Sequence, residues 1–240
     1  VQTLRTNEPE PPAPVTEPGK TFEEALDEHP VSIQVNGQWQ TFPNAKAAKE
    51  ASYEEYKANL RRNAKNFRIT DAHLGEGGPK AKFQANIEAI KLLKYLEETT
   101  GQATPEQQEV LSRYVGWGGL ADAFDPEKPA WASEYAQLKE LLTPEEYAAA
   151  RSSTLNAHYT SPTVIQAIYE AVGRMGFETG NILEPSMGVG NFFGMLPEEM
   201  RNSRLYGVEL DPVSGRIARQ LYPKADITVG GFETTDRRDF

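Results

Sequence analysis

Cysteine is absent from the 240 residues. This absence excludes a disulfide scaffold, a thiolate zinc site and a cysteine nucleophile, and it fits a reducing compartment. The sequence also lacks any run of roughly 18 apolar residues, as a membrane span requires, and its N-terminus lacks the charged-then-apolar order of a signal peptide. We therefore expect a cytoplasmic protein with no membrane partner.

Positive charge is scarce as well, with 25 Lys and Arg against 35 Asp and Glu, for a net charge of -10. This balance argues against a surface that binds nucleic acid as a whole. A local basic cluster has two interpretations, a solvated helix face, which we favour, and a DNA phosphate contact with Phe67 as a stacking group. The cluster comprises Lys57, Arg61, Arg62, Lys65, Arg68, Lys80 and Lys82.

The N-terminal part divides into two segments. Residues 1–20 contain five prolines among glutamates and predict a disordered linker, which implies that another segment preceded it. Residues 21–65 predict a β-hairpin and a helix, because alternating apolar and polar residues flank Asn36-Gly37, the pair that a type I′ turn prefers.

Residues 66–150 predict a mostly helical region. Two Thr-Pro pairs mark helix starts, and Phe83 to Leu96 carry an apolar stripe at helical spacing. Three glycines surround Trp117, so the backbone there passes close to a ligand or, as we favour, to a neighbouring helix. The three histidines, His29, His73 and His158, have no partner at ligand spacing. We therefore predict no metal site.

Residues 151–240 alternate strand, helix, strand, helix and strand at short spacing. Parallel neighbours need crossover helices, so this pattern predicts one half of a doubly wound parallel sheet. The expected fold class is α/β, with the first three strands of a Rossmann-like sheet preceded by the helical region and the hairpin.

A glycine turn follows the first of these strands. Gly188 and Gly190 allow the backbone to approach a ligand, and Glu209, 19 residues later at the end of the second strand, can accept hydrogen bonds from both hydroxyls of a ribose. The residues after Gly190 are Asn191, Phe192 and Phe193, without the third glycine of dinucleotide binders. The pattern disfavours NAD and FAD and favours S-adenosylmethionine (SAM), an adenosine ligand without phosphates.

Three motifs in residues 151–240 carry a family resemblance. Residues 184–193, Glu-Pro-Ser-Met-Gly-Val-Gly-Asn-Phe-Phe, resemble the Asp-Pro-x-x-Gly-x-Gly-x-Phe-Leu motif of adenine-specific DNA methyltransferases. Residues 157–162 resemble the upstream Tyr-Thr-Pro element of their gamma arrangement, and residues 207–211 resemble their acidic second-strand motif.

Four upstream strings extend the resemblance to roughly residues 60–240. Residues 66–70, 74–79, 86–90 and 114–119 are similar to the block before the methylase fold in large methylase-helicase proteins of bacterial conjugative elements and phages. The resemblance implies a SAM-dependent DNA adenine-N6 methyltransferase of a mobile element, with DNA as partner, a helicase domain in the same parent chain and a role in restriction-modification.

Carried over by motif, the resemblance also implies a set of cofactor contacts. Tyr159, Thr160 and Pro162 would close the pocket, and Glu209 would meet the ribose. The methionine part would meet Glu184, Ser186, Gly188 and Gly190. The implied set is Tyr159, Thr160, Pro162, Glu184, Pro185, Ser186, Gly188, Gly190, Asn191, Glu209 and Phe232.

Two departures from the family pattern limit what this chain can do. Gly231 stands where the third-strand motif usually has an Asp for the adenine, and Asp226 is a candidate replacement for that Asp. The Asn-Pro-Pro-aromatic motif that holds a flipped base is missing, so we predict no catalytic residue and an inactive fragment of a larger enzyme. The alternatives are an inactive DNA-docking or interaction module with a degenerate methylase fold and, on fold alone, a dinucleotide oxidoreductase.

Overall fold

The computed structural model describes residues 29–71, 73–155 and 159–236. The predicted linker at residues 1–20 and His158 lie outside these residues. The chain is mixed α/β and divides into two compact units, Val1–Asn59 and Leu60–Phe240. No helix in the described ranges is both long and apolar enough to cross a membrane.

The first unit contains the predicted hairpin. Strands β1 (Val31–Val35) and β2 (Gln38–Phe42) pair antiparallel, and Asn36 and Gly37 have φ values of 52° and 75°, as a type I′ turn requires. Helix α1 (Ala45–Asn63) begins in this unit, and Glu55 accepts a hydrogen bond from the Asn36 backbone N–H at 2.6 Å. The hairpin prediction is confirmed.

Four helices open the second unit: α2 (Pro79–Glu98), α3 (Pro105–Ser112), α4 (Ala132–Leu141) and α5 (Pro144–Ser153). Two 3₁₀ turns, Ala121–Phe124 and Pro129–Trp131, precede α4. Both predicted Thr-Pro starts form capping boxes, and the predicted α2 stripe is buried. Trp117 and Phe124 lie in the same core.

A three-stranded parallel sheet follows, in the order β3 (Asn181–Glu184), β4 (Arg204–Glu209) and β5 (Asp226–Val229). The helices of this part are α6 (Pro162–Arg174), α7 (Asn191–Gly194) and α8 (Pro212–Leu221), with 3₁₀ turns at Glu198–Met200 and Phe232–Thr234. The prediction of three parallel strands joined by helices is confirmed. Its strands end at one common edge, where Glu184 pairs with Gly207 and Glu209 with Val229.

The helical region and the sheet share one hydrophobic core. Gln108 on α3 donates to the carbonyls of Gln220 and Leu221 at 2.9 and 3.2 Å. Phe67 is buried in this core, and its backbone N–H donates to the Leu221 carbonyl at 2.7 Å. The interpretation of Phe67 as a base-stacking group is therefore wrong, because its ring packs inside the protein.

Candidate functional site

A cavity of about 330 Å³ lies at the edge of the sheet where β3 and β4 end. Ligands of open α/β sheets bind at this edge, because the loops that follow parallel strands converge there. Seven of the eleven predicted cofactor residues line the cavity: Tyr159, Thr160, Glu184, Ser186, Gly188, Asn191 and Glu209. The structure therefore brings together residues that lie up to 50 positions apart in the chain. Below we call this space the donor cavity, after the methyl donor that the sequence resemblance implies for these residues.

The loop between β3 and α7 forms the floor of the donor cavity. Met187 donates its backbone N–H to the Val208 carbonyl at 3.0 Å, which ties the loop to β4. Gly188 and Gly190 both have positive φ. Gly190 does not line the cavity. A Cβ at this position would lie 2.5 Å from the Tyr222 ring in the core. Gly190 is therefore required for packing against the core.

Glu209 joins the end of β4 to the glycine loop. Its Oε2 accepts from the Gly188 backbone N–H at 2.6 Å, and its Oε1 accepts from the Asp211 N–H at 2.7 Å. A carboxylate offers about four lone-pair sites, so about two remain for donors of a ligand. Burial raises the pKa of Glu209, although hydrogen bonding to the backbone of Asp211, Gly188 and Leu210 opposes the rise.

Two buried carboxylate oxygens at the cavity have no hydrogen-bond partner among the described residues. They are Glu184 Oε2 and Asp211 Oδ2, whereas the other Asp211 oxygen accepts from the Ser214 N–H at 2.7 Å and caps α8. A buried acceptor without a donor costs about 1–3 kcal/mol. The cavity is thus suited to a ligand that carries hydrogen-bond donors.

The raised pKa of Glu184 leads to a testable prediction about the pH dependence of stability. Burial, together with the charge of Glu209, raises this pKa to about 8. The folded protein therefore holds a proton that the unfolded chain releases above about pH 4.5, so stability falls as pH rises from there to about 8. In the absence of ligand, Glu184→Gln should raise the Tm at pH 7.5 by about 3 °C or more.

Thermal unfolding followed by circular dichroism between pH 4 and pH 8.5 measures this effect. The gain should vanish near pH 4.5, where wild type is also neutral at this position. The exposed Glu140→Gln on α4 is the control, and its Tm should follow wild type at every pH. Equal Tm values for Glu184→Gln and wild type at pH 7.5 would contradict the raised pKa.

Four predicted cofactor residues lie outside the cavity lining. Gly190 faces the core, Pro185 is exposed, Phe232 is exposed in a 3₁₀ turn, and Pro162 borders a neighbouring cavity that Tyr159 and Thr160 also line. Asp226 begins β5, at the opposite edge of the sheet. It therefore does not replace the missing third-strand Asp.

Several lining residues escaped the sequence analysis. Five belong to the helical region, namely Tyr114, Gly116, Ala149, Ser152 and Ser153, and five to the sheet region, namely Met187, Phe192, Leu210, Asp211 and Ser214. The glycines around Trp117 were a usable signal, since Gly116 faces the Tyr159 ring rather than a helix. The serines of α5 carried no comparable signal.

Some side chains of the basic cluster already have interaction partners within the chain. Lys57 pairs with Glu54, Arg68 donates to the Leu196 carbonyl, and Lys80 donates to Glu134 at 2.6 Å and lies over the Trp131 ring. Lys57 also belongs to the first unit and the other six cations to the second. Three of the seven charges thus have intramolecular partners, which weakens the case for a dedicated phosphate-binding patch.

Comparison with known proteins gives two relatives. Over 159 residues, 66% of the chain, the sequence is 27% identical to Defense against restriction protein B of Escherichia phage P1, of which the match covers 6%. Over 78 residues, 32% of the chain, it is 38% identical to the Type II methyltransferase M.CvrRI of Paramecium bursaria Chlorella virus XZ-6E, of which the match covers 20%.

The chain thus spans a small part of either relative. No protein-family model and no solved structure matches it. The chain contains a region that is related in sequence to a methyltransferase.

Proposed function

We propose that residues 151–240 bind SAM and form the cofactor-binding half of a gamma-type DNA adenine-N6 methyltransferase. The chain would be part of a larger methylase-helicase protein of a mobile element, with DNA as the substrate of the parent. The relationship to a type II methyltransferase supports the general activity. The charge of the donor cavity supports the choice of ligand.

The charged residues among the described lining of the cavity are all acidic: Glu184, Glu209 and Asp211. A lining with acidic groups and no lysine or arginine offers a pyrophosphate no partner of opposite charge and favours a cation, which would also lower the raised pKa of Glu184 and ionise it. SAM carries a sulfonium, an ammonium and a carboxylate, so its net charge is positive and it has no phosphate, whereas NAD and ATP carry phosphates. This acidic lining is the observation on which the proposal depends.

Two parts of SAM, the ribose and the ammonium, have a matching group in the cavity. The lone pairs that Glu209 keeps beside its two backbone bonds can accept from the ribose hydroxyls. The unpartnered oxygen of Glu184 can accept from the ammonium of the methionine part. A cation beside Glu184 lowers its raised pKa, so binding near pH 7 would release a proton.

In the parent enzyme, SAM supplies a methyl group that its sulfonium already activates for transfer. The residues of this chain would hold the donor and keep it oriented, which is the main catalytic requirement of such a transfer. The motif that grips the flipped base is not in this sequence, so the chain alone should show no methyl transfer to DNA.

Isothermal titration of the 240-residue protein with SAM and with NAD tests the assignment. We expect SAM to bind and NAD to give no measurable heat. Titrations at pH 7 in buffers of different ionisation enthalpy should reveal the released proton, and Glu184→Gln should abolish that release while Glu140→Gln retains it. Binding of NAD in preference to SAM would refute the proposal.

A further inference from the structure

The Tyr159 ring joins the helical region to the glycine loop of the donor cavity. A Cβ placed on Gly116 would lie 2.9 Å from Cε2 of the ring, and a Cβ placed on Gly188 would lie 3.0 Å from Cε1. These two atoms are on opposite edges of a tyrosine ring. The ring therefore occupies a slot between two glycines, one from each half of the second unit.

Both glycines are needed for their backbone conformation as well as for space. Gly116 has a φ of 67° and Gly188 a φ of 57°, in the left-handed region that other residues rarely adopt. Gly188 is also fixed from its other side, because Glu209 accepts its N–H. The position of the ring is thus set by where the Gly116 backbone is held.

Asn86 on α2 holds that backbone. Its side chain is fully buried, its Nδ2 donates to the Gly116 carbonyl at 2.5 Å, and its Oδ1 accepts from the Val115 N–H at 2.8 Å. One amide side chain thereby satisfies a donor and an acceptor of adjacent residues. Ile87 and Ile90, which follow Asn86 on α2, are fully buried and keep the helix in place.

We propose that Asn86 and Gly116 are positioning residues of the donor cavity, which hold the Tyr159 ring against the Gly188 loop. The helical region then helps to shape the donor cavity, although the proposed methylase fold begins after this region in the sequence. The identity of the ligand rests on the proposed function, whereas the coupling from Asn86 to the loop is testable without a ligand.

Asn86→Leu and Gly116→Ala test this coupling, with Gln108→Leu as the matched control. Gln108 is also a buried amide with bonds to backbone carbonyls, but it holds Lys65, Gln220 and Leu221, which lie outside the cavity lining. We expect SAM to bind about ten-fold or more weakly to the first two variants and within about two-fold of wild type to the control.

Hydrogen exchange at the amides of residues 185–192 is the readout that does not need SAM. Exchange should be faster in Asn86→Leu and Gly116→Ala and unchanged in Gln108→Leu. If wild type fails to bind SAM, the proposed function is lost while this readout still decides the coupling. Unchanged exchange in both variants overturns the coupling, whether or not SAM binds. If Asn86→Leu does not fold, Gly116→Ala decides alone.

A double-mutant cycle separates the ring contact from general damage. Tyr159→Ala removes the atoms that a Cβ at position 116 would strike. The effects on loop exchange should therefore be less than additive in Gly116→Ala with Tyr159→Ala, and what Gly116→Ala still adds should reflect its left-handed φ. Purely additive effects would overturn the role of the ring.

Discussion

Replacement of Glu209 with alanine should weaken SAM binding by about 100-fold or more. Hydrogen bonds to a charged group contribute about 1.5–3 kcal/mol each, and two ribose hydroxyls would lose such a partner. The same change frees the Gly188 N–H, so the loop under the ligand also loses one of its links to β4. Isothermal titration gives the affinity, and binding within about three-fold of wild type would contradict the prediction.

Glutamine is not a silent replacement at this position. Both oxygens of Glu209 accept from backbone N–H groups, at 2.6 and 2.7 Å, so the amide nitrogen of Glu209→Gln would have to face one of these donors. We expect Glu209→Gln to lose SAM binding nearly as fully as the alanine variant and to melt at a lower temperature. For the melting temperature, Glu184→Gln is the matched control, because Glu184 Oε2 faces no donor of the protein and this variant should not lower the Tm.

The parts of the site that follow from local pattern were predictable from the sequence. Strand β3 has two apolar residues between polar ends, the loop after it contains two glycines, and the strand–helix–strand spacing places Glu209 at the same edge. In a parallel sheet with a short crossover, the ends of neighbouring strands must meet. The contact between Glu209 and Gly188 therefore follows from the sheet topology, which the spacing of the strands and helices in the sequence already indicates.

The helical wall of the cavity could not be predicted in the same way. Gly116 lies 72 positions before Gly188, and their approach to the same ring depends on how α2, α3 and α5 pack on the sheet. Local periodicity carries no information about such contacts. Gly190 shows a related limit: the sequence indicates that a side chain is not tolerated, but only the fold shows that Tyr222 is the reason.

The second large expected effect concerns Glu146, because its ion pairs link the helical region to a helix of the sheet region. It lies on α5 with a side chain that is 6% exposed, it accepts from Lys94 on α2 at 2.8 Å, and it pairs with Arg216 on α8. Its Oε2 also accepts from the Thr143 backbone N–H at 3.0 Å. Burial alone would raise the pKa of Glu146, but Lys94, the Thr143 N–H and Arg216 more than offset burial and lower it.

Glu146→Ala should therefore cost about 3 kcal/mol of unfolding free energy, or about 8 °C in Tm at pH 7, because two cations and a helix cap lose their shared partner. A lowered carboxyl pKa stabilises the fold above about pH 4.5 and ceases to do so as pH falls, so the variant should approach wild type in acid.

Glu134→Ala removes a more exposed ion pair with Lys80 and should cost less than about 1 kcal/mol. Urea unfolding of both variants at pH 7 and pH 4 measures the contrast, and equal losses at pH 7 would show that Glu146 acts as an ordinary surface charge. The larger loss would instead mean that α5, which carries Ser152 and Ser153 into the donor cavity, is held there by charge as well as by packing.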